Sequence, residues 1–268
     1  MIIANLATYP PRASNLLRTI AAIAPQVDRL NVVLNQYETT PEGLRSIAPN
    51  VELILPKEDT KDVGKFYPDT GGADYVFLVD DDIIYPQDFV IRTVAALKAL
   101  GPSGYMAGYH GSLYQRPIPK LQIKSFKRFL RYWLYPGHIA SYRKVYGFDP
   151  ELESPPGPLV VDQLGSGVAI MHGADMPTYA YMRSSQKFVD VRLAKWCFEK
   201  GIAPVVLPHP EGWLIGVAFN ETIHRSFTTT NPRHVADEIR TYAYKVVGRG
   251  QPPSLKTALA EKPYMAGP

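Results

Sequence analysis

The residues of this chain that can do chemistry centre on three consecutive acids, Asp80-Asp81-Asp82. They end an apolar, β-branched and aromatic run, Tyr75 to Val79, that reads as a buried strand. Asp80 and Asp82 point to the same side of an extended segment. Adjacent carboxylates repel, and one takes up a proton unless a cation is present. A hard divalent ion carrying oxygen ligands and a substrate diphosphate relieves that repulsion. The pattern therefore predicts a metal–diphosphate site, with a solvated acidic loop as the plain alternative.

Other candidates sit at strand exits and in polar loops. Arg12 follows Tyr9-Pro10-Pro11 and suits a nucleotide base or a phosphate, or else a surface helix start. Asn35 ends a strand, where it can bond a base or ribose or simply make a turn. In the charged loop Lys57 to Phe66, Asp62 can accept an imide hydrogen and Lys65 can meet a phosphate. Gly165 and Gly167 let backbone approach a sugar closely. Asp190 lies early in a helix, where the dipole favours a carboxylate in any case. His224 suits a third ligand to Mn²⁺, which accepts mixed carboxylate and imidazole sets, or is a surface histidine. It lies in a Gly- and Thr-rich stretch from Gly216 to Thr230 that reads as a flap able to close over a diphosphate.

The elements that must position these groups alternate strand and helix. Ile2 to Leu6, Leu30 to Leu34, Val51 to Leu55, Tyr75 to Val79, Gly104 to Tyr109, Val160 to Met171 and Ile202 to Leu207 read as strands. Asn15 to Ile23 reads as a helix with Leu16, Leu17, Ile20 and Ile23 on its apolar side. A second follows Pro86, with Phe89, Thr93, Ala96, Leu97 and Leu100 on one face, until Gly101. Ser184 to Lys200, capped by Ser184 or Ser185, and Pro232 to Val247, capped by Asn231, are two more. This order predicts an α/β fold with a mostly parallel sheet flanked by helices. The acids then lie at the carboxyl end of a central strand, where open α/β sheets bind ligands.

The 268 residues, 46% of them hydrophobic, suit one domain with a sizeable core, or one with an insertion. A net charge of +4 permits an anionic substrate and demands none. The single cysteine, Cys197, excludes an internal disulfide and is consistent with a reducing compartment. The N-terminus lacks the pattern of a signal peptide. Phe126, Phe129, Leu130, Trp133 and Leu134 share one side of a short helix whose other side is mostly basic, Lys124 to Arg131. That helix can lie on an anionic membrane, pack on the domain, or form a track for an acidic polymer. Basic residues are otherwise dispersed, against a nucleic-acid binder. The first loop lacks the glycine patterns of dinucleotide and P-loop sites, so phosphates are handled elsewhere.

Taken together, the Tyr9-Pro10-Pro11-Arg12 exit, the strand ending in Asp-x-Asp, a helix carrying an acid and a late histidine resemble nucleotide-sugar glycosyltransferases of the GT-A fold. More narrowly, the chain is similar to bacterial capsular heparosan α-N-acetylglucosaminyltransferases. The matching stretches are Ala4-Asn5, Gln26-Val27-Asp28, Lys61-Asp62-Val63-Gly64-Lys65-Phe66, Asp80 to Pro86, His110-Gly111, Asp162-Gln163-Leu164-Gly165 and Ser185 to Arg192. They run in order to about residue 200.

The resemblance implies a single GT-A (Rossmann-like) domain over 1–250, with a nucleotide-binding half (1–110) and an acceptor half (111–250). The stretch 113–158 is longer here than that pattern and reads as an insertion, and 251–268 reads as a tail. The resemblance also implies retaining transfer from UDP-N-acetylglucosamine to a glycan acceptor, an acidic one among the candidates, in surface polysaccharide synthesis. The enzyme would work in the cytoplasm at the inner membrane face beside a partner transferase. Thr8, Tyr9, Arg12, Asn35 and Asp62 would hold uridine, and Asp80 and Asp81 would approach ribose and sugar. Asp82 with Asp80 or His224 would hold Mn²⁺ (or Mg²⁺). Lys65 and Arg225 would assist, and Asp190 with Arg192 would serve the anomeric centre. The competing expectations are a glycan-binding scaffold subunit of the same fold and a sugar nucleotidyltransferase.

Overall fold

Strands that are apolar along their whole length need cover on both faces, and here they form the middle of the molecule. The computed structural model describes residues 1–41, 43–44, 47–116, 139, 142–217 and 232–253. In chain order the elements are β1 (Ile2–Thr8), α1 (Ala13–Ile23), β2 (Arg29–Leu34), β3 (Val51–Ile54), β4 (Tyr75–Val79), β5 (Ile83–Ile84), α2 (Phe89–Leu100), β6 (Tyr105–Gly108), β7 (Gly111–Tyr114) and β8 (Arg143–Tyr146). They continue with β9 (Leu159–Val160), β10 (Gln163–Leu164), β11 (Val168–His172), α3 (Val189–Lys200), β12 (Ala203–Val206), β13 (Ile215–Gly216) and α4 (Arg233–Tyr242).

Eight strands form one mixed sheet in the order β3-β2-β1-β4-β11-β6-β12-β9. β3, β2, β1 and β4 pair in parallel, while β11 runs antiparallel between β4 and β6. β6 and β12 are parallel again. A small sheet, β10-β7-β8, and a two-stranded ribbon, β13-β5, complete the pairing. The fold is α/β, with a large mostly parallel sheet flanked by helices.

α1 buries Leu16, Ile20 and Ile23, but Leu17, expected on that face, is exposed. α2 buries Phe89, Val90, Thr93, Val94, Leu97 and Leu100 and stops before Gly101. The expected strand Val160 to Met171 is three pieces, because the chain changes sheets twice. β9 pairs with β12, β10 with β7, and β11 returns to β4. The fully buried Asp162 marks the first crossing, accepting from Tyr114 N–H at 2.8 Å and from Arg249 at 2.7 and 2.8 Å. The helix expected from Ser184 begins at Val189, since Lys187 takes a left-handed φ of 73°. The last helix stops at Tyr242, before Tyr244 at φ 71°. The basic stretch Lys124 to Arg131 lies outside the described residues, as does most of the 113–158 insertion. Among the described residues no helix is long and apolar enough to cross a membrane.

Candidate functional site

β1 and β4 are parallel neighbours, and their chains leave in opposite directions, β1 through α1 to β2 and β4 through α2 to β6. A crevice opens where such strands diverge, beyond their carboxyl ends. Asp80, Asp81 and Asp82 enter it from β4, and Thr8 from β1.

The three acids have separate environments. Asp81 is buried, 1% exposed. It accepts from the Thr8 hydroxyl at 2.6 Å and from Arg12 at 2.7 Å, and its carbonyl accepts from Asn15. This carboxylate thus ties the end of β1 and the start of α1 to the end of β4. Arg12 reaches on to Asp82 at 3.1 Å and lies over the ring of part-exposed Tyr9 at 5.6 Å. Burial works against the Arg12 charge, but Asp81 and Asp82 outweigh it and hold the guanidinium firmly protonated. Asp82 keeps part of its side chain in solvent. Burial and the neighbouring Asp80 push its carboxyl up to about 6, with Arg12 opposing. An acid so raised is one that a cation would favour ionising.

Asp80 is placed by three partners. Its N–H donates to the Tyr85 hydroxyl at 2.8 Å, and that hydroxyl donates to the Gly167 carbonyl at 2.6 Å. Its carboxylate lies over Gly167, where a Cβ would stand 2.1 Å from Oδ2. The buried Lys65 ammonium pairs with Oδ1. Burial acts against that charge, yet Asp80, Asp190 and Asp82 raise the lysine.

Lys65 lies in a 3₁₀ turn, Lys61–Phe66, within what the sequence presents as a charged loop. The turn is docked on β1. Val63, Gly64 and Phe66 are buried, and Asn5 donates to the Lys65 carbonyl at 2.8 Å while accepting from Asn31 at 2.8 Å. Polar residues inside a strand gave the only warning of this, since buried amides need partners. Lys65 also donates to the Ser166 carbonyl at 2.9 Å, and the Ser166 N–H donates to Asp190 at 2.9 Å. The Gly165-Ser166-Gly167 strap thereby carries Asp190, at the start of α3, into the same cluster as Asp80. Asn15, Tyr85 and Ser166 are the members that sequence reasoning missed.

Other expected site residues are occupied elsewhere. The Asn35 side chain accepts from Thr60 and donates to the Lys61 carbonyl at 3.0 Å, so it shapes the loop before the turn. Asp62 accepts from Lys187 N–H at 2.9 and 3.0 Å, and burial pushes it up to about 6. Gly165 N–H donates to the His110 carbonyl at 2.8 Å, and Gly165 lies against that ring. Arg192 is committed to Glu238 on α4, at 2.8 and 2.5 Å, and to the Tyr181 carbonyl and Ser184. It clamps two helices and does not join the acids. His224 and Arg225 lie outside the described residues. The chain enters that stretch from the ribbon beside the acids, where Ile215 and Gly216 pair with Ile84 and Ile83 and Val217 N–H donates to the Asp82 carbonyl at 2.7 Å.

Among the described residues no three His, Cys, Asp or Glu side chains are arranged as a metal cage. Asp80 and Asp82 remain oxygen donors, and among the described residues Asp80, Asp81, Asp82 and Asp190 face two cations, Arg12 and Lys65. This donor set fits a hard divalent ion whose remaining ligands are water and substrate oxygens.

No protein-family model matches the chain, and no curated protein does. Among solved structures it is similar to a crystal structure of a mycobacterial protein, at 18% identity and a TM-score of 0.49, over 91% of this chain and 74% of that one. A likeness that weak carries no argument about fold family or function.

Proposed function

We propose that the chain is a GT-A type, metal-dependent retaining glycosyltransferase that takes N-acetylglucosamine from UDP to a glycan acceptor. The observation that carries the reading is the division of labour among the acids. Asp81 is sealed into the fold, while Asp80 and Asp82 on either side stay part-exposed in the crevice between β1 and β4. The parallel order of the first four strands, with the acids on the fourth, supports it. The donor nucleoside would lie against Tyr9 and Arg12, with its diphosphate toward Asp80 and Asp82.

A bound Mn²⁺ or Mg²⁺ would neutralise charge on the departing diphosphate. Asp80 and Asp82 are the residues that would hold it, with His224 the candidate third ligand. Asp190 would stabilise positive charge on the sugar or orient the acceptor hydroxyl. Lys65 holds Asp80 and the Ser166 strap in place, so its first role is positioning. The glycan acceptor, with acidic glycans among the candidates, would approach from the side of Asp190.

Thermal shift with UDP, GDP and CDP, each with Mn²⁺ or EDTA, tests the donor class. A Mn²⁺-dependent rise with UDP alone is expected, about 2.7 kcal/mol of stabilisation at a hundredfold excess over the dissociation constant. Asp82→Ala should abolish it. Asp190→Ala should keep it and lose transfer. No rise with any nucleotide would overturn the reading in favour of a scaffold subunit.

A further inference from the structure

A second cavity, of about 180 Å³, opens at the same edge of the sheet as the acids. Tyr109 follows β6 and Leu207 follows β12, both at carboxyl ends, and Trp213 precedes β13, the strand paired with β5 just past Asp82. Arg92, His209 and three prolines, Pro158, Pro208 and Pro210, also line it. Complete small-molecule sites run to about 300–1,000 Å³, so this one has the scale of a single ring.

Its walls are held rigidly. The Tyr109 and Trp213 rings meet edge to face at 4.9 Å, and His209 meets Tyr109 at 6.0 Å. The Tyr109 hydroxyl is turned away, 3.0 Å from that of Thr93. Trp213 donates to Asp88 at 2.8 Å, and Arg92 pairs with the same carboxylate at 2.6 Å while lying over the indole at 5.8 Å. His209 is anchored through its N–H to Ser154 at 3.1 Å and through Nε2 to the Gly147 carbonyl at 3.2 Å. Phe89 touches Trp213 on one side and Tyr85, the residue that places Asp80, on the other, at 6.0 and 4.9 Å.

We propose that this cavity binds one sugar ring of the acceptor glycan, away from the transferring end; the word acceptor rests on the glycosyltransferase reading above. A pyranose has an apolar C–H face and a rim of hydroxyls. The part-exposed Trp213 and His209 rings with the lining prolines Pro158, Pro208 and Pro210 fit the first, and the exposed Arg92 guanidinium fits the second. A purely apolar occupant would leave that charged rim unused. The cavity and the acids both lie where β4, β6 and β12 present their carboxyl ends, along the one sheet edge that a bound polymer would follow.

The test titrates the full chain with two tetrasaccharides, chitotetraose and one alternating hexuronic acid with N-acetylhexosamine, by calorimetry. At least one should bind, and Trp213→Ala should weaken it about tenfold. Arg92→Ala, on an exposed position, should weaken it severalfold and keeps the test decisive should the tryptophan variant fail to fold. Binding of neither tetrasaccharide, or unchanged affinity in the variants, would overturn the proposal. So would capture of a decaproline peptide in place of the sugars, which would make this a protein-docking pocket. UDP with Mn²⁺ is titrated in parallel. Sugar bound without UDP would leave a glycan subsite on a protein that is not a transferase, and UDP bound without sugar would sink the subsite alone.

Discussion

Asp62 and Asp82 are both held near pH 6, mainly by burial, and the two have different consequences. Asp62 accepts two hydrogen bonds from Lys187 N–H. Its folded value lies above the ordinary carboxylate value, so between about pH 4 and 6 the folded chain holds a proton that the unfolded chain has lost. The stability this group contributes is therefore greatest below pH 4 and falls as pH rises through 6. Asp62→Asn removes that slope. Unfolding free energies of the variant and the parent from urea titration should differ more at pH 7 than at pH 4.5, by about 2 kcal/mol in favour of the variant. A difference independent of pH would show that Asp62 is not a buried acid. Asp82 must ionise to meet a cation, so Mn²⁺-dependent stabilisation should fade as pH falls through about 6 in the same thermal assay.

At the scale of elements, a strap and a clamp decide where the acids stand. Gly167 is needed for space, since a Cβ there would collide with Asp80. Gly167→Ala should cost about 1–3 kcal/mol and displace Asp80. The expected result is a lower melting temperature together with loss of Mn²⁺-dependent UDP stabilisation. A folded Gly167→Ala protein that keeps full UDP binding would show that Asp80 has no part in the donor site. Arg192 joins α3 to α4 through Glu238, with both side chains largely out of solvent. Arg192→Met should lower stability by about 2 kcal/mol, a fall of about 4–8 °C in Tm, with UDP binding kept. Loss of transfer at unchanged Tm would instead return Arg192 to the chemistry.

Over the whole molecule, charge runs against the mean. The chain carries +4 overall, whereas among the described residues the cluster of Asp80, Asp81, Asp82 and Asp190 is met by two cations, Arg12 and Lys65. An anionic donor can approach the exterior, but within the crevice it needs a cation beside it. The molecule is also closed from its C-terminal side, where Arg249 neutralises the fully buried Asp162 at the crossing between the two sheets. Arg249→Ala leaves that charge unpaired and should cost about 3–5 kcal/mol, read as a large drop in Tm. A drop below 1 °C would mean the crossing is held by its backbone bonds alone.

The strands β1, β2 and β4 and the helices α1 and α2 were legible in the amino-acid sequence because their signals are local. Continuous apolar runs mark strands buried on both faces, and a 3.6-residue period with a glycine stop marks α2. The acids at the end of β4 were legible for the same reason, being one short segment. What each acid does was not, because it depends on partners far away in the chain. Thr8, Arg12 and Asn15 sequester Asp81, and Lys65 reaches Asp80 only because buried asparagines dock a charged turn on β1. Asn35, Asp62 and Arg192 carry side chains suited to a ligand, and tertiary contacts gave them structural partners instead. The ribbon of Ile83–Ile84 with Ile215–Gly216 joins segments too short to register as strands alone, and only their pairing brings Val217 to the backbone of Asp82. Residue types and local periods set which chemistry was available, and long-range packing and desolvation decided which side chains are left to perform it.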